Sequence, residues 1–177
     1  DPRPIVRPAL IRLASAFHDS TILSIPRGAE SVCVDLELGS FPIRANYLEI
    51  GSRRPLGAGA GSLALLAWMP DAEIEAVMPV LLEKLHRYPL IDQRVLERHI
   101  EESRRRGYAL MVDLVVDRMG GIAVPILGSD GRPVAAISIA ALTERIFSRE
   151  EQLAEALLRE AQACSSNAGG MLREVHG

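Results

Sequence analysis

The chain has 177 residues, of which 48% are apolar and 24% are charged, a composition typical of a globular protein. Its formal net charge of −3 supplies no electrostatic footprint for nucleic acid, and its two cysteines set no disulfide or zinc framework and fit a reducing compartment. The chain has no apolar run long enough to span a membrane and no signal-peptide pattern, so we expect a cytoplasmic protein without a membrane partner.

The first third of the chain predicts one helix followed by strands. Residues 8–17 open with a proline and place apolar side chains on one face, which indicates a helix. Two strand-like segments, 20–28 and 30–38, follow and are joined by an Arg-Gly turn. Residues 42–50 predict a third strand ahead of a glycine-rich segment.

Three glycines, Gly57, Gly59 and Gly61, alternate along the chain just before a short apolar helix predicted over 62–69. The segment fits neither a P-loop, since no lysine follows Gly61, nor a dinucleotide motif, since Ser62 stands where the third glycine belongs. The N–H groups at the start of a helix can still bind an anion such as a carboxylate. The glycines could equally serve to pack the helix closely on a sheet, and the spacing leaves both interpretations open.

The middle of the chain predicts helices. Residues 71–85 form an amphipathic pattern interrupted at Pro79, which predicts a kink or two pieces. Asp92 is a suitable N-cap for a helix over 93–106, and Gly107 is a suitable end. The helix predicted over 62–69 is apolar around almost its whole circumference, which favours an exposed patch that contacts another subunit.

The last third predicts three strands and a terminal helix. Residues 108–117 are strand-like, and 120–127 and 133–141 form a hairpin with both arms apolar at almost every position. Ser148 and Glu151 fit a capping box at the start of a long helix that runs toward residue 173. Adjacent strands with helices at both chain ends predict a single α+β domain with an antiparallel sheet.

The sequence offers no catalytic or metal-binding constellation. Its four histidines are scattered, and none has a second ligand at metal-binding spacing. No serine lies in a G-x-S-x-G motif, and Cys33, in a strand among valines, is expected to pack as a small apolar side chain. We therefore expect no enzyme activity, no cofactor and no metal.

Three segments together resemble the effector-binding domain of the IclR-type (isocitrate lyase regulator) family of bacterial transcription factors. They are IGSRRPLGAGAGSLALLA (50–67), RRRGYA (104–109) and GGIAVPILGSDGRPVAAISIA (120–140), with Arg145 after the last. The resemblance implies that residues 1–177 form one GAF-like or profilin-like domain whose antiparallel sheet, flanked by helices, surrounds a small-molecule pocket. Members of the family carry a winged helix-turn-helix upstream. We expect that this chain lacks that domain, as its missing initiator methionine suggests, and that DNA is bound only through it.

The resemblance also implies a ligand and its site. Family members bind small organic acids, so we expect a carboxylate against Gly57–Gly61, capped by the N–H groups of Ala58, Gly59 and Ala60. Positions corresponding to other pocket residues are Met111, Asp113, Gly121, Ser138 and Ala140. Because Gly121 replaces a cysteine of some members and Ala140 replaces a second serine, the resemblance implies a bulkier or more apolar acid. It further implies a homodimer or a tetramer.

Two other interpretations remain open. The chain could be an enzyme that uses segment 57–61 to bind a phosphorylated substrate. It could also be a dimerisation module whose pocket is vestigial. The sequence identifies neither the effector nor the direction of regulation.

Overall fold

The computed structural model describes residues 1–43 and 48–175, with side chains of the last helix described as far as Ser165. In chain order the elements are α1 (Arg3–Phe17), β1 (Ser20–Arg27), β2 (Glu30–Glu37), β3 (Arg53–Pro55), α2 (Ala60–Ala67), α3 (Asp71–Lys84), a 3-10 turn (Leu85–Arg87), α4 (Gln93–Arg106), β4 (Ala109–Val112), β5 (Met119–Leu127), β6 (Pro133–Leu142), α5 (Thr143–Ser148) and α6 (Glu150–Val175). The strands form one antiparallel sheet in the order β3-β2-β1-β6-β5-β4. The predicted α+β class with an antiparallel sheet is confirmed.

The two faces of the sheet carry different side chains, because neighbouring residues of a strand point to opposite sides. One face carries large aliphatic residues, including Leu23, Ile122 and Ile137, which pack with α1 and α6 in one apolar cluster. The opposite face carries Ala123 and Ala136, which pack with α2 and α4 in a second cluster. The sheet is therefore buried on both sides, as the apolar hairpin arms predicted.

Small residues let α2 lie close to the sheet. In the register of β5 and β6, Gly121 is opposite Ala140, and Ala123 is opposite Ser138. A Cβ atom added at Gly121 would lie only 2.9 Å from the Cβ of Ala60, at the start of α2. Only glycine leaves room for the helix at that point.

The helix α2 is enclosed within the chain. Leu63, Leu65 and Leu66 are each no more than 1% exposed, since the sheet covers one side of the helix and α4 covers another. Its apolar circumference therefore does not form a patch for another subunit, and the contact predicted at 62–69 from that circumference was wrong. At the C-terminal end of α2, Arg104 of α4 donates to the carbonyl oxygens of Ala67 at 2.5 Å and Met69 at 2.8 Å.

The third strand differs from the prediction. Residues 42–43 and 48–50 are not in a strand, while the rest of the predicted strand, 44–47, lies outside the described residues. The third strand is instead the short β3, which pairs with the beginning of β2. Its sequence of two arginines and a proline has no strand-like pattern. Such residues are tolerated here because β3 lies at the edge of the sheet.

Of the predicted helix caps, those of α4 are present and that of the last helix is not. The helix α4 has the predicted caps: Asp92 accepts the N–H of Val95 at 2.8 Å, and Gly107 adopts a positive φ of +90°. The capping box was wrong, because Ser148 ends α5, its hydroxyl donates to the carbonyl oxygen of Arg145, and α6 begins at Glu150.

Three element boundaries also differ. The first helix begins at Arg3, so Pro8 lies inside it rather than in its first turn. The helix α3 continues through Pro79 and is not divided there, since this proline is exposed and the carbonyl it leaves unbonded can face water. The strand predicted over 108–117 ends at Val112. No helix in the described part of the chain is both long and apolar enough to cross a membrane.

Candidate functional site

A cavity of about 80 Å³ lies between the sheet face of small residues and the start of α2. Eight residues predicted to bind the ligand line it: Ala58, Gly59, Ala60, Gly61, Met111, Gly121, Ser138 and Ala140. The fold brings these residues together because β4, β5 and β6 are neighbours in the sheet and α2 crosses them. The cavity also contains residues that the sequence did not single out, among them Ser24, Ser31, Ser62 and Arg54.

Two predicted residues lie away from the cavity. Gly57 faces α4, where an added Cβ would lie 2.4 Å from Cδ1 of Leu96. Asp113 is exposed beyond the end of β4, and its carboxylate accepts a hydrogen bond of 2.7 Å from the hydroxyl of Thr143. Neither Gly57 nor Asp113 therefore lines this cavity.

The three alternating glycines meet three different neighbours. Gly57 packs against α4, as the packing interpretation predicts. Gly59 has a φ of +105°, and an added Cβ would lie 3.0 Å from Nη1 of Arg54. Gly61 lies under two serines, where an added Cβ would be 3.3 Å from Oγ of Ser24 and 3.4 Å from Oγ of Ser138. Close packing and an open cavity thus coexist in one segment.

The backbone donors at the cavity are shifted along the chain from the predicted set. The N–H of Ala58 donates to the carbonyl oxygen of Pro55 at 3.1 Å, and the N–H of Gly59 donates to the sulfur of Met111 at 3.3 Å. No described residue accepts a hydrogen bond from the N–H groups of Ala60 and Gly61. These two groups belong to the first turn of α2, where backbone donors lack helical partners.

Serine hydroxyls form the polar part of the wall. Ser24 and Ser138 are each 5% exposed, and neither hydroxyl has a hydrogen-bond partner among the residues that the structure describes. The hydroxyls of Ser31 and Ser62 are hydrogen-bonded to each other and join β2 to α2. The signal in the sequence was a lone serine between the apolar residues of β1, at Ser24.

Arg54 brings a positive charge to the cavity. It is half-buried, and burial lowers the pKa of its guanidinium from the ordinary value. In the described ranges, 1–43 and 48–175, no carboxylate lies within ion-pair distance of it. The preceding residue, Arg53, is exposed and has Glu30 3.9 Å from its guanidinium. No pattern in the sequence distinguishes the two arginines.

Cys33 also lines the cavity and is 3% exposed. Burial raises the pKa of its thiol to about 11, so the thiol is protonated at neutral pH and packs as a small apolar side chain, as predicted. In the part of the chain that the structure describes, no three His, Cys, Asp or Glu side chains come together in a group that could hold a metal ion.

Comparison with known proteins identifies the family. The family model described as "Bacterial transcriptional regulator IclR C-terminal" matches residues 3–166. The chain belongs to the IclR family. The resemblance predicted from three short segments therefore extends over most of the chain.

Curated IclR-type relatives are longer than this chain. The transcriptional regulator XynR of Escherichia coli is 29% identical over 160 residues, which are 87% of this chain and 63% of XynR. The regulator KipR of Bacillus subtilis is 29% identical over 146 residues, which are 82% of this chain and 58% of KipR. The repressor AllR of Salmonella typhimurium is 30% identical over 145 residues, 80% of this chain and 52% of AllR. The chain spans between half and two thirds of these proteins.

Solved structures confirm the fold. The IclR protein of Thermotoga maritima matches with a TM-score of 0.86 at 24% identity, over 96% of this chain and 69% of that protein. The C-terminal domain of a putative transcriptional regulator from Vibrio cholerae matches with a TM-score of 0.75 at 26% identity, over 90% of this chain and 94% of that domain. The predicted GAF-like or profilin-like domain is the C-terminal domain fold of the IclR family.

Proposed function

We propose that this chain is the ligand-sensing domain of a transcriptional regulator, and that its effector is a small organic acid bound in the cavity at the start of α2. One observation carries the proposal: Ser24 and Ser138, residues that are each 5% exposed, line the cavity, and neither hydroxyl has a partner among the described residues. Their oxygen atoms remain accessible from the cavity, so a ligand there can form hydrogen bonds with them. A carboxylate, which only accepts hydrogen bonds, fits both hydroxyls and the N–H groups of Ala60 and Gly61.

The size of the cavity favours an acid of a few carbons. Its volume is about 80 Å³, whereas a cavity that binds benzene measures about 150 Å³. The missing polar groups at Gly121 and Ala140 implied a bulkier or more apolar acid. The cavity wall nevertheless carries the polar side chains of Ser24, Ser31 and Arg54, which compensate for the polar groups missing at those two positions. We therefore propose a short acid.

We propose sensing rather than catalysis. The described residues that line the cavity include no histidine and no carboxylate that could act as a general base, and the thiol of Cys33 is protonated. A phosphorylated sugar would exceed the cavity volume. The relatives are named as transcriptional regulators, which supports the same proposal.

DNA binding and oligomer formation complete the proposal. The relatives XynR and KipR are named as helix-turn-helix regulators, and this chain covers only part of each. We propose that DNA is bound by a separate helix-turn-helix domain and that the sensing domain forms a dimer or a tetramer. Ile11 on α1 and Leu158 on α6 are 45% and 42% exposed and offer an apolar surface for that contact. Light scattering at micromolar concentration tests the oligomer, and a monomer would contradict it.

Calorimetry and thermal melting with a panel of acids test the ligand. The panel contains acetate, propionate, succinate and benzoate, with glucose 6-phosphate to represent a phosphorylated substrate. We expect a short acid to bind and to raise the melting temperature, and the sugar phosphate neither to bind nor to be converted. A domain that binds none of the acids would favour the vestigial pocket, and turnover of the sugar phosphate would favour the enzyme.

A further inference from the structure

Among the described residues that line the cavity, one is a cation, Arg54, and none is an anion. We propose that Arg54 binds the carboxylate of the effector directly and determines that the site accepts an acid rather than its neutral amide. This inference rests on the proposed function and names the residue that selects the ligand class.

The geometry of β3 separates the two neighbouring arginines. Arg53 is opposite Val32 in the strand register, and Arg54 is opposite Ser31, whose hydroxyl bonds to α2 on the cavity side. Successive side chains of a strand point to opposite faces, so Arg54 faces the cavity while Arg53 faces solvent. The guanidinium reaches the glycine segment, since its Nη1 lies 3.0 Å from the position that a Cβ of Gly59 would occupy.

The charge around Arg54 is uncompensated. Among the described residues that line the cavity none is Asp or Glu, and the sequence has neither at positions 44–47. Glu30 precedes Ser31, the residue opposite Arg54 on β2. Its carboxylate, however, lies 3.9 Å from the guanidinium of Arg53 and not near that of Arg54. A half-buried charge that lacks a counter-ion is unfavourable, and an anionic ligand removes that penalty when it binds.

The guanidinium and the helix start can hold one carboxylate together. The planar guanidinium donates two parallel N–H bonds to a carboxylate, a pairing that is stronger and more directional than a neutral hydrogen bond. The serine hydroxyls and the N–H groups of Ala60 and Gly61 lie around the same cavity and can donate to the remaining lone pairs. A neutral amide presents its own N–H donors to these groups and therefore binds more weakly.

The affinities of acid and amide pairs test the proposal in two matched variants. Arg54→Met removes the cavity charge, and Arg53→Met removes the neighbouring exposed charge as a control. The probes are propionate with propionamide, succinate with succinamide, and benzoate with benzamide, measured by calorimetry or by ligand-observed NMR. We expect Arg54→Met to weaken binding of the acid by about 10-fold to 100-fold and to leave binding of the amide nearly unchanged. Arg53→Met should match the wild type for both.

Melting of the ligand-free domain provides a second measurement. Because Arg54 has no ion-pair partner among the described residues, we expect Arg54→Met to keep or raise the melting temperature, whereas acid should no longer raise it further. A ligand-free Arg54→Met domain that melts well below both the wild type and Arg53→Met would show that Arg54 holds the fold together, and it would overturn the proposal.

The outcomes separate this inference from the proposed function. If no acid of the panel binds the wild type, the proposed function fails and this inference fails with it. If an acid binds the wild type and Arg54→Met equally, the sensing function stands and the assignment of Arg54 is overturned. Equal losses of acid and amide in Arg54→Met would also overturn it, since they would reflect a change of cavity shape rather than of charge.

Discussion

The sulfur of Met111 lies 3.3 Å from the backbone nitrogen of Gly59 and accepts its N–H. This contact joins β4 to the glycine segment at Gly59, where an added Cβ would lie 3.0 Å from Nη1 of Arg54. A thioether is a weak acceptor, so the Gly59 N–H is held by a bond that a carboxylate could replace. A carboxylate that binds the Gly59 N–H would therefore have to displace the sulfur of Met111.

Replacing Met111 by glutamate should place an anion of the chain itself in this position. We expect Met111→Glu to lose acid binding by about tenfold or more, because two carboxylates about 4 Å apart repel by roughly 4 kcal/mol at an effective dielectric constant near 20. Met111→Gln is the uncharged control of the same shape. Calorimetry compares the two, and acid binding that Met111→Glu retains at the level of Met111→Gln would place the carboxylate elsewhere.

The hydroxyl of Ser138 should matter for the ligand and not for the fold. We expect Ser138→Ala to weaken acid binding by about 1 kcal/mol, the contribution of an ordinary hydrogen bond, and to leave the free energy of unfolding of the ligand-free domain unchanged. Ser20→Ala is the contrasting variant, since its hydroxyl accepts the N–H of Gly39 at 3.2 Å. That variant should lose about 1 kcal/mol of stability and bind acid normally. Urea unfolding and calorimetry give both quantities, and the reverse pattern would make Ser138 a structural residue.

Gly57 should be required for packing and Gly51 only for backbone conformation. Both have a φ of +94°, but an added Cβ at Gly57 would lie 2.4 Å from Leu96, whereas at Gly51 nothing lies within 4 Å. Alanine at either site should carry a similar backbone penalty of about 1–3 kcal/mol. Gly57→Ala should lose about 1–3 kcal/mol more, because fully buried Leu96 has no space to move into. Equal unfolding free energies in urea would show that α4 yields at this contact.

Cys33 should be unreactive in the folded protein. Its pKa is raised to about 11 from the ordinary value of 9.0, chiefly by burial. At pH 8 this difference of two pH units lowers the thiolate fraction, and with it the alkylation rate by iodoacetamide, by about a hundredfold relative to the unfolded chain. Bound acid should slow the reaction further at Cys33 but not at Cys164, which lies outside the cavity. Mass spectrometry of the two peptides measures both rates, and rapid modification of Cys33 in the native domain would contradict its burial.

The same pKa predicts how stability depends on alkaline pH. The thiol is protonated in both states below pH 9, so its full contribution to the free energy of unfolding is present there. Between about pH 9 and pH 11 only the unfolded chain loses the proton, and stability falls. Cys33→Ala should show a shallower decline over this range than the wild type in urea unfolding.

The features that could be predicted from the sequence are those that depend on residues close to one another in the chain. The caps of α4, Asp92 and Gly107, are local, so both were predicted and both are present. The exposed patch on α2 was mispredicted because the residues that cover it belong to α4, some thirty positions later, and periodicity does not reveal a distant cover. The family and its fold followed from three segments, of which 50–67 and 120–140 contribute residues to the cavity wall.

Arg54 shows why part of the site could not be predicted. Two adjacent arginines in a strand must face opposite sides, but only the register with β2 decides which one faces inward. That register depends on the pairing of Arg54 with Ser31, more than twenty residues away. Ser24 was missed for a similar reason, because a serine within an apolar strand becomes a binding candidate only when a cavity is known beside it.

The small residues beneath α2 interrupt the second hydrophobic core at the place where the cavity opens. Larger side chains at Ser138 or Ala140 would fill this volume in a domain that binds no ligand. Under the proposed function, a bound effector fills this volume instead. Binding of the proposed acid would restore packing of the kind that a large-to-small substitution removes. The concentration of that acid would then set the fraction of domains in which the cavity beside α2 is filled.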